Sequence, residues 1–436
     1  MKYLTKILPL FLIIALLSFG AVIAQDKPTI SVWFDANNPG CSAPLITEGY
    51  NSMSETSQVE IVEQPDSWSV TRTAVTGGAG PDVVISPGPS FVFEMAAANL
   101  ILPLNDYADE HGWSDTFVPW ALSLGEVDGT LYSLPNELET LILYYNKTLF
   151  EQNGWEPPTT IDELMTLSEQ IAAAGILPFA HGNADWRPSN EWFVGEFINH
   201  VAGPEAVYEA LTGARPWTDE AFVEAIDALN TIQANGWFFG GLELYYTADE
   251  PTRMAAFGAG EAAMNIEGTW RFGTINEYFG EAAGNTNEWD WVPVPSSTGD
   301  PIFDIGIGST WSINAASPIP DEAANFLTYR FSPDVQAILL AECGSAPAPV
   351  NLEADAMEGV DPRIARAFES FAESSNAGNY GYTTWTFWPP RSDVYIYEEI
   401  ERVWDGQITT AEYLEGLNTM FAEELAAGEI PPIPAR

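Results

Sequence analysis

Apolar and polar positions along the first hundred residues fall into short runs of two kinds. Thr29-Ile-Ser-Val-Trp-Phe34 reads as a strand, and Val59-Glu-Ile-Val62 alternates with the period of two that buries one face. Asp82-Val-Val-Ile85 is short and apolar throughout, as a buried parallel strand should be. Segments of helical length, around 43–55 and 68–76, separate these strands. Strand–helix–strand–helix–strand predicts a parallel sheet joined by right-handed crossovers. Ligands of such sheets sit at the carboxyl ends of the strands, here Asp35–Gly40 and Ser86–Ser90.

A second α/β region follows. Thr140-Leu-Ile-Leu-Tyr-Tyr145 has the pattern of a strand. Thr160-Ile-Asp-Glu163 is a capping box that opens a helix with Leu164, Leu167 and Ile171 on one face, ended by Gly175. Another helix carries Phe222, Ile226 and Leu229 and stops near Gly236. The last begins at Thr409-Thr-Ala-Glu412, shows Leu414, Leu417, Phe421 and Leu425, and ends at Gly428 before a Pro-rich tail. No repeat and no low-complexity linker interrupts the chain, so two lobes joined by several crossings are expected.

The length of 436 residues suits two or three domains, and a hydrophobic share of 46% is enough for a sizeable core. The formal charge is −47, from 62 acidic and 15 basic residues. Nucleic-acid binding depends on basic groups that displace counterions from phosphates, and no basic run occurs, so nucleic acid is excluded as a partner. Anionic membrane surfaces would repel the chain as well.

Lys2 and Lys6 precede an apolar core, Leu10 to Leu17, and small residues then lead to Ala24. Residues 1–24 are therefore expected to be a cleaved export signal, with an uncleaved anchor as the rival reading. No Cys follows the apolar core directly, so a lipid-anchored N-terminus is not expected. The two cysteines of an exported chain, Cys41 and Cys343, allow one disulfide, with two buried thiols as the alternative.

Enzyme motifs are missing. There is no G-x-S-x-G elbow and no Gly-Lys-Ser/Thr phosphate loop, and His111, His181 and His200 form no i, i+4 zinc pair. Gly258-Ala-Gly260-Glu-Ala-Ala263 matches a dinucleotide fingerprint only loosely. Neither cofactor nor metal is expected. Glu137 and Glu139 alternate along an extended segment, so they would form a catalytic pair only if the chain bends there.

Tryptophan is the positive signal. Of 16, several stand beside Gly, Pro, Asp or Asn instead of inside apolar runs: Trp33, Trp68, Trp186, Trp270, Trp385 and Trp388. A sugar ring offers an apolar CH face for stacking and a rim of hydroxyls for Asp, Glu and Asn. Core packing is the competing explanation for any single Trp.

Gly260-Glu-Ala-Ala-Met264-Asn-Ile-Glu-Gly268-Thr-Trp270 resembles the extracellular solute-binding proteins of sugar ABC importers, the maltose-binding-protein-like class. Asp128-Gly-Thr-Leu-Tyr132-Ser-Leu-Pro135, Tyr145-Asn-Lys-Thr-Leu-Phe150, Ser312-Ile-Asn-Ala-Ala-Ser-Pro318 and Gly406-Gln-Ile-Thr-Thr-Ala-Glu412 extend the likeness in the same order. The resemblance implies a two-lobed α/β periplasmic-binding-protein fold, type II-like, with a ligand cleft between the lobes and three hinge crossings. These fall near Pro135–Leu138, Trp291–Val294 and Gly344–Ala348. Residues 25–136 plus 293–345 would form the N-terminal lobe, and 137–292 plus 346–436 the C-terminal lobe. Cys41 and Cys343 would then share the first lobe.

By the same resemblance Trp270 should stack on the sugar and Glu139 should accept hydroxyl protons. Trp186, with Asp185 beside it, should line the second lobe, and Trp388, or else Trp385, should form another wall. Asn37 and Ser86 are the first-lobe candidates. The expected protein is a non-enzymatic monomer of the periplasm or outer cell face, binding a carbohydrate and docking to an ABC permease. The alternatives are a secreted glycan-degrading enzyme, or the same fold with a non-sugar solute.

Overall fold

The computed structural model describes residues 27–35, 41–64, 67–352 and 356–436. The expected export signal and Asn37 lie outside them. The first sheet begins with β1 (Thr29–Asp35), β2 (Gln58–Gln64) and β3 (Val83–Ser86). β1 lies between the other two and pairs with both in parallel, through the helices Ser42–Met53 and Ser67–Thr76. The alternation and the apolar run thus meant what they implied.

A small hairpin, β4 (Glu126–Val127) and β5 (Thr130–Leu131), precedes β6 (Leu134–Glu139). The second sheet is built from β7 (Leu141–Asn146), β8 (Leu177–Phe179), β9 (Ala262–Gly268) and β10 (Trp289–Val292), in the order β10-β7-β9-β8. All seven residues of β9 are buried, as the central position of that strand requires. The helix Ile161–Ala173 starts at the Thr160 capping box, and Thr410–Ala427 at that of Thr409, with Gly428 closing it in the left-handed conformation. In the latter helix Leu425, expected in the core, is instead an exposed apolar side chain.

β11 (Phe303–Ile313) belongs to the first sheet and reaches both cores. Its C-terminal half runs antiparallel to β3, and its first residues run parallel to β12 (Tyr380–Tyr382). β6 lies antiparallel along it from Gly306–Glu139 to Trp311–Leu134. Ile307 packs in the larger core with Leu143, Phe193 and Phe421, whereas Trp311 packs in the other core with Val32 and Phe326. One strand therefore contributes to both cores.

The chain returns to the first sheet along β11, which follows the stretch from Trp291. Trp289–Val292 is an edge strand held on β7, and Ser297 donates its N–H to the His200 carbonyl. The stretch from 293 to the start of β11 therefore stays bonded to second-lobe elements. The last crossing passes beside β6, where Leu138 N–H donates to the Pro347 carbonyl at 2.7 Å. Gln336 anchors it through a hydrogen bond from Ala348 N–H, also 2.7 Å.

Cys41 and Cys343 form a disulfide with a Cα separation of 5.7 Å. It ties the start of helix Ser42–Met53 to the end of helix Pro333–Cys343, and both pack on the first sheet's core. The bridge cross-links positions 302 apart, which restricts the unfolded chain. Replacing both cysteines by serine should cost about 2–5 kcal/mol in denaturant unfolding. A midpoint equal to the parent's would show that the bridge does not constrain the unfolded state.

Candidate functional site

Glu139 ends β6 at the junction of the two sheets, opposite Gly306 of β11. Its side chain is buried, and among the described residues its carboxylate has no hydrogen-bond partner. A Cβ at Gly308 would strike that carboxylate, so glycine there makes the space the acid occupies. Burial first, and then the neighbouring Glu137 charge, push the Glu139 carboxyl well above the ordinary carboxylate range. The alternation expected to part these two acids is broken, because Glu137 takes a positive φ of 59° inside β6.

Glu137 is otherwise engaged. Ser309 Oγ donates to its Oε2 at 3.2 Å, and burial holds the nearby Arg330 guanidinium down to about 10 against the attraction of Glu137. Arg330 in turn donates to Asn136 Oδ1 at 3.1 Å. Within this cluster Glu139 is the carboxylate with free acceptor oxygens.

Three tryptophans meet near the end of β6. Trp270 follows β9 in the single turn Thr269–Gly273, and Thr269 N–H donates to the Thr140 carbonyl beside Glu139 at 3.0 Å. The Trp270 ring folds back over Gly268, where a Cβ would collide with it. Its centroid lies 5.0 Å from Trp192 and 6.1 Å from Trp385, the latter edge-on at 75°. Trp385 belongs to the turn Thr384–Phe387, which is pinned to β11 by Ile307 N–H donating to Thr386 Oγ1 at 2.9 Å. The first-lobe loop at Gly88 comes against the same turn, since a Cβ there would sit 2.8 Å from the Trp385 carbonyl. The trio, Glu139 and the end of β3 therefore converge where the two sheets join.

Behind Trp270 lies a compensated ion cluster. Glu267 of β9 receives Arg253 at 3.1 Å and also pairs with Arg271, the residue after Trp270. Burial would raise the Glu267 carboxyl, but the two guanidinium groups hold it well below the carboxylate range. Arg271 also meets Glu250 at 2.8 Å, and Glu250 N–H donates to Asp185 at 2.7 Å. This chain of contacts fixes the turn that carries Trp270.

The other expected site residues have separate fates. Trp186 is 44% exposed next to Arg187, whose guanidinium is clamped by Glu401 at 2.9 Å. Asp185 is exposed and spends one oxygen on Glu250. Ser86 is buried, and its hydroxyl is bonded to Thr310 at 2.6 Å, which secures the loop after β3. Trp388 is 1% exposed and packs on Trp217 at 4.6 Å and on Phe421, so it is a core residue and Trp385 is the one beside Trp270. Gly258 and Gly260 end a helix that leads into β9, the reverse of the strand-to-helix order a dinucleotide loop needs.

Trp192 was missed by sequence reasoning. It lies in the first turn of the helix Asn190–Phe197, where a helical pattern suggests an ordinary packing residue. Its proximity in sequence to Trp186 was the available signal.

A family model described as bacterial extracellular solute-binding protein matches residues 48–370. Over 234 residues the chain is 26% identical to the maltotriose-binding protein of Pyrococcus abyssi, a match covering 53% of this chain and 47% of that protein. The chain thus spans about half the length of that relative. It is 22% identical over 414 residues to a probable sugar-binding periplasmic protein of Brucella suis, covering 90% and 92%. The fold is similar to that of a chitin oligosaccharide binding protein, with a TM-score of 0.75 at 20% identity over 92% of this chain and 100% of that one.

Two outcomes separate site from core. Trp388→Ala should destabilise the protein by about 3–5 kcal/mol, as loss of a buried aromatic does, whereas Trp270→Ala should cost far less. Equal losses in urea titrations would remove that distinction. For an acid whose folded pKa lies above its unfolded one, stability falls as pH rises past the unfolded value. Glu139→Gln should therefore melt above the parent at alkaline pH and converge with it near about pH 4. A gap that does not change with pH would mean that Glu139 is compensated.

Proposed function

Because the chain belongs to the bacterial extracellular solute-binding proteins, we propose that it captures a neutral oligosaccharide between its lobes and hands it to an ABC-type permease. One observation carries this reading: Trp192, Trp270 and Trp385 form a cluster, and the turn that carries Trp270 is hydrogen-bonded to Thr140, the residue after the unpartnered, buried Glu139. Flat rings suit the CH face of a pyranose, and a free acceptor suits its hydroxyls. The likeness to maltotriose-binding and chitin oligosaccharide binding proteins supports the same class of ligand.

Closure would bend the chain at β6, β11 and 344–348, the three stretches that lie side by side between the sheets. In this reading the first lobe holds β1–β3 with the helices Pro320–Arg330 and Pro333–Cys343, and the second holds β7–β10 with the helices from Pro362 onward. Trp186 is at the rim of the second lobe. Residues 1–24 direct export, and the monomer acts outside the cytoplasm. No helix among the described residues is long and apolar enough to cross a membrane.

A hydrolytic reading rests on the bend that brings Glu137 towards Glu139. Glu137 is already committed to Ser309 and Arg330, which favours binding over cleavage.

Native mass spectrometry with pooled neutral oligosaccharides should detect one intact sugar per chain. Trp270→Ala should weaken that complex about tenfold, equivalent to ~1.4 kcal/mol. Shortened sugars in the mixture would overturn the binder reading, and an unchanged affinity would take Trp270 out of the site.

A further inference from the structure

One helical turn beyond Trp192, Glu196 meets His200 and Asp304 in the second-lobe interior, each side chain about 1% exposed. Glu196 and His200 are one helical turn apart where the helix Asn190–Phe197 widens into the π-turn Ile198–Ala202, and Asp304 comes from β11. His200 Nδ1 lies 3.0 Å from the Val294 carbonyl, which can only accept, so this nitrogen carries the hydrogen. Its Nε2 then faces Glu196 at 3.2 Å and Asp304 at 3.7 Å.

Among the described residues, His200 Nε2, Glu196 Oε2 and both Asp304 oxygens make no hydrogen bond. Buried acceptors converging on one point are costly unless a cation stands there. An imidazole held by a carbonyl on its other nitrogen is the usual arrangement of a metal-binding histidine. Ligands of a tetrahedral ion with bonds near 2.1 Å are separated by about 3.4 Å, which the two measured separations bracket. All three ligand atoms fit within 4.8 Å of one another.

We propose that Glu196, His200 and Asp304 hold one divalent transition-metal ion of the zinc class, fastening β11 to the second lobe. One nitrogen and two carboxylates suit such an ion better than calcium, which takes six to eight oxygens. The competing occupant is a proton. Burial alone would depress the imidazole, but Glu196 and Asp304 push it up to about 10. A protonated imidazole still leaves the three groups one negative charge in excess unless a carboxyl also takes a proton, whereas a dication neutralises them. The full burial of the ligands implies that the ion enters as the chain folds.

This proposal stands apart from the sugar reading. The full chain, purified without a metal-affinity tag, would be unfolded with a chelator and refolded with Zn2+, Mn2+ or neither. Plasma mass spectrometry should then count one zinc per chain, with a higher Tm than the metal-free sample. Asp304→Asn and His200→Gln should lose the ion while keeping the parent's far-UV circular dichroism. Where a variant does not fold, the parent's own metal content and Tm decide the question. Substoichiometric metal with an unchanged Tm after refolding in excess zinc or manganese would overturn the site and leave the imidazolium as its occupant.

Discussion

The fold depends on one strand being shared. β11 is 11 residues long, and its two halves face different cores: Ile307 is packed with the second lobe and Trp311 with the first. Its backbone groups are committed along the whole length, to β12 at one end, to β6 through the middle and to β3 at the other. Breaking that ladder would leave buried N–H and C=O groups unpaired, so the strand must flex as a unit. Any motion of one lobe on the other is thereby confined to changes of twist and bend in β11, β6 and the adjoining 344–348 stretch.

The same strand also makes room for the site. Gly306 and Gly308 sit on the ladder where Thr383 and the Glu139 carboxylate come closest, and a side chain at either position would collide with them. The joint is thin for this reason, and chemistry can be placed inside it. Trp385 reaches the joint because its turn is fastened to β11, and Trp270 because its turn is fastened to Thr140. Both tryptophans of the proposed site are thus held by elements at the joint between the two cores.

Buried charge divides into two kinds here. Glu267 has two arginines and stays ionised, so it stabilises the turn under Trp270. Among the described residues Glu139 has no opposite charge beside it, and the Glu196–His200–Asp304 cluster sets two carboxylates against one imidazole. Both sit against the first half of β11: one beside Gly306 and Gly308, the other on Asp304 itself.

Local order was legible in the sequence. A strand-like run predicted β1, period-two alternation β2 and the apolar run β3, and two capping boxes marked the starts of the helices at Ile161 and Thr410, because each signal acts over a few residues. Motif order was enough for the fold class. What required the tertiary structure was every question of which side chains share a space. Trp385 and Trp388 lie three residues apart in a Thr-rich run, and only the pinning of that turn to β11 aims one at Trp270 and the other at Trp217. That β11 serves both cores was also decided by packing, because an unbroken strand that changes cores has no break in its pattern. Asp304 meets His200 across 104 positions of chain, a distance over which composition and spacing carry no information. Sequence determined the elements and their order; three-dimensional packing decided which charges and rings were left without partners.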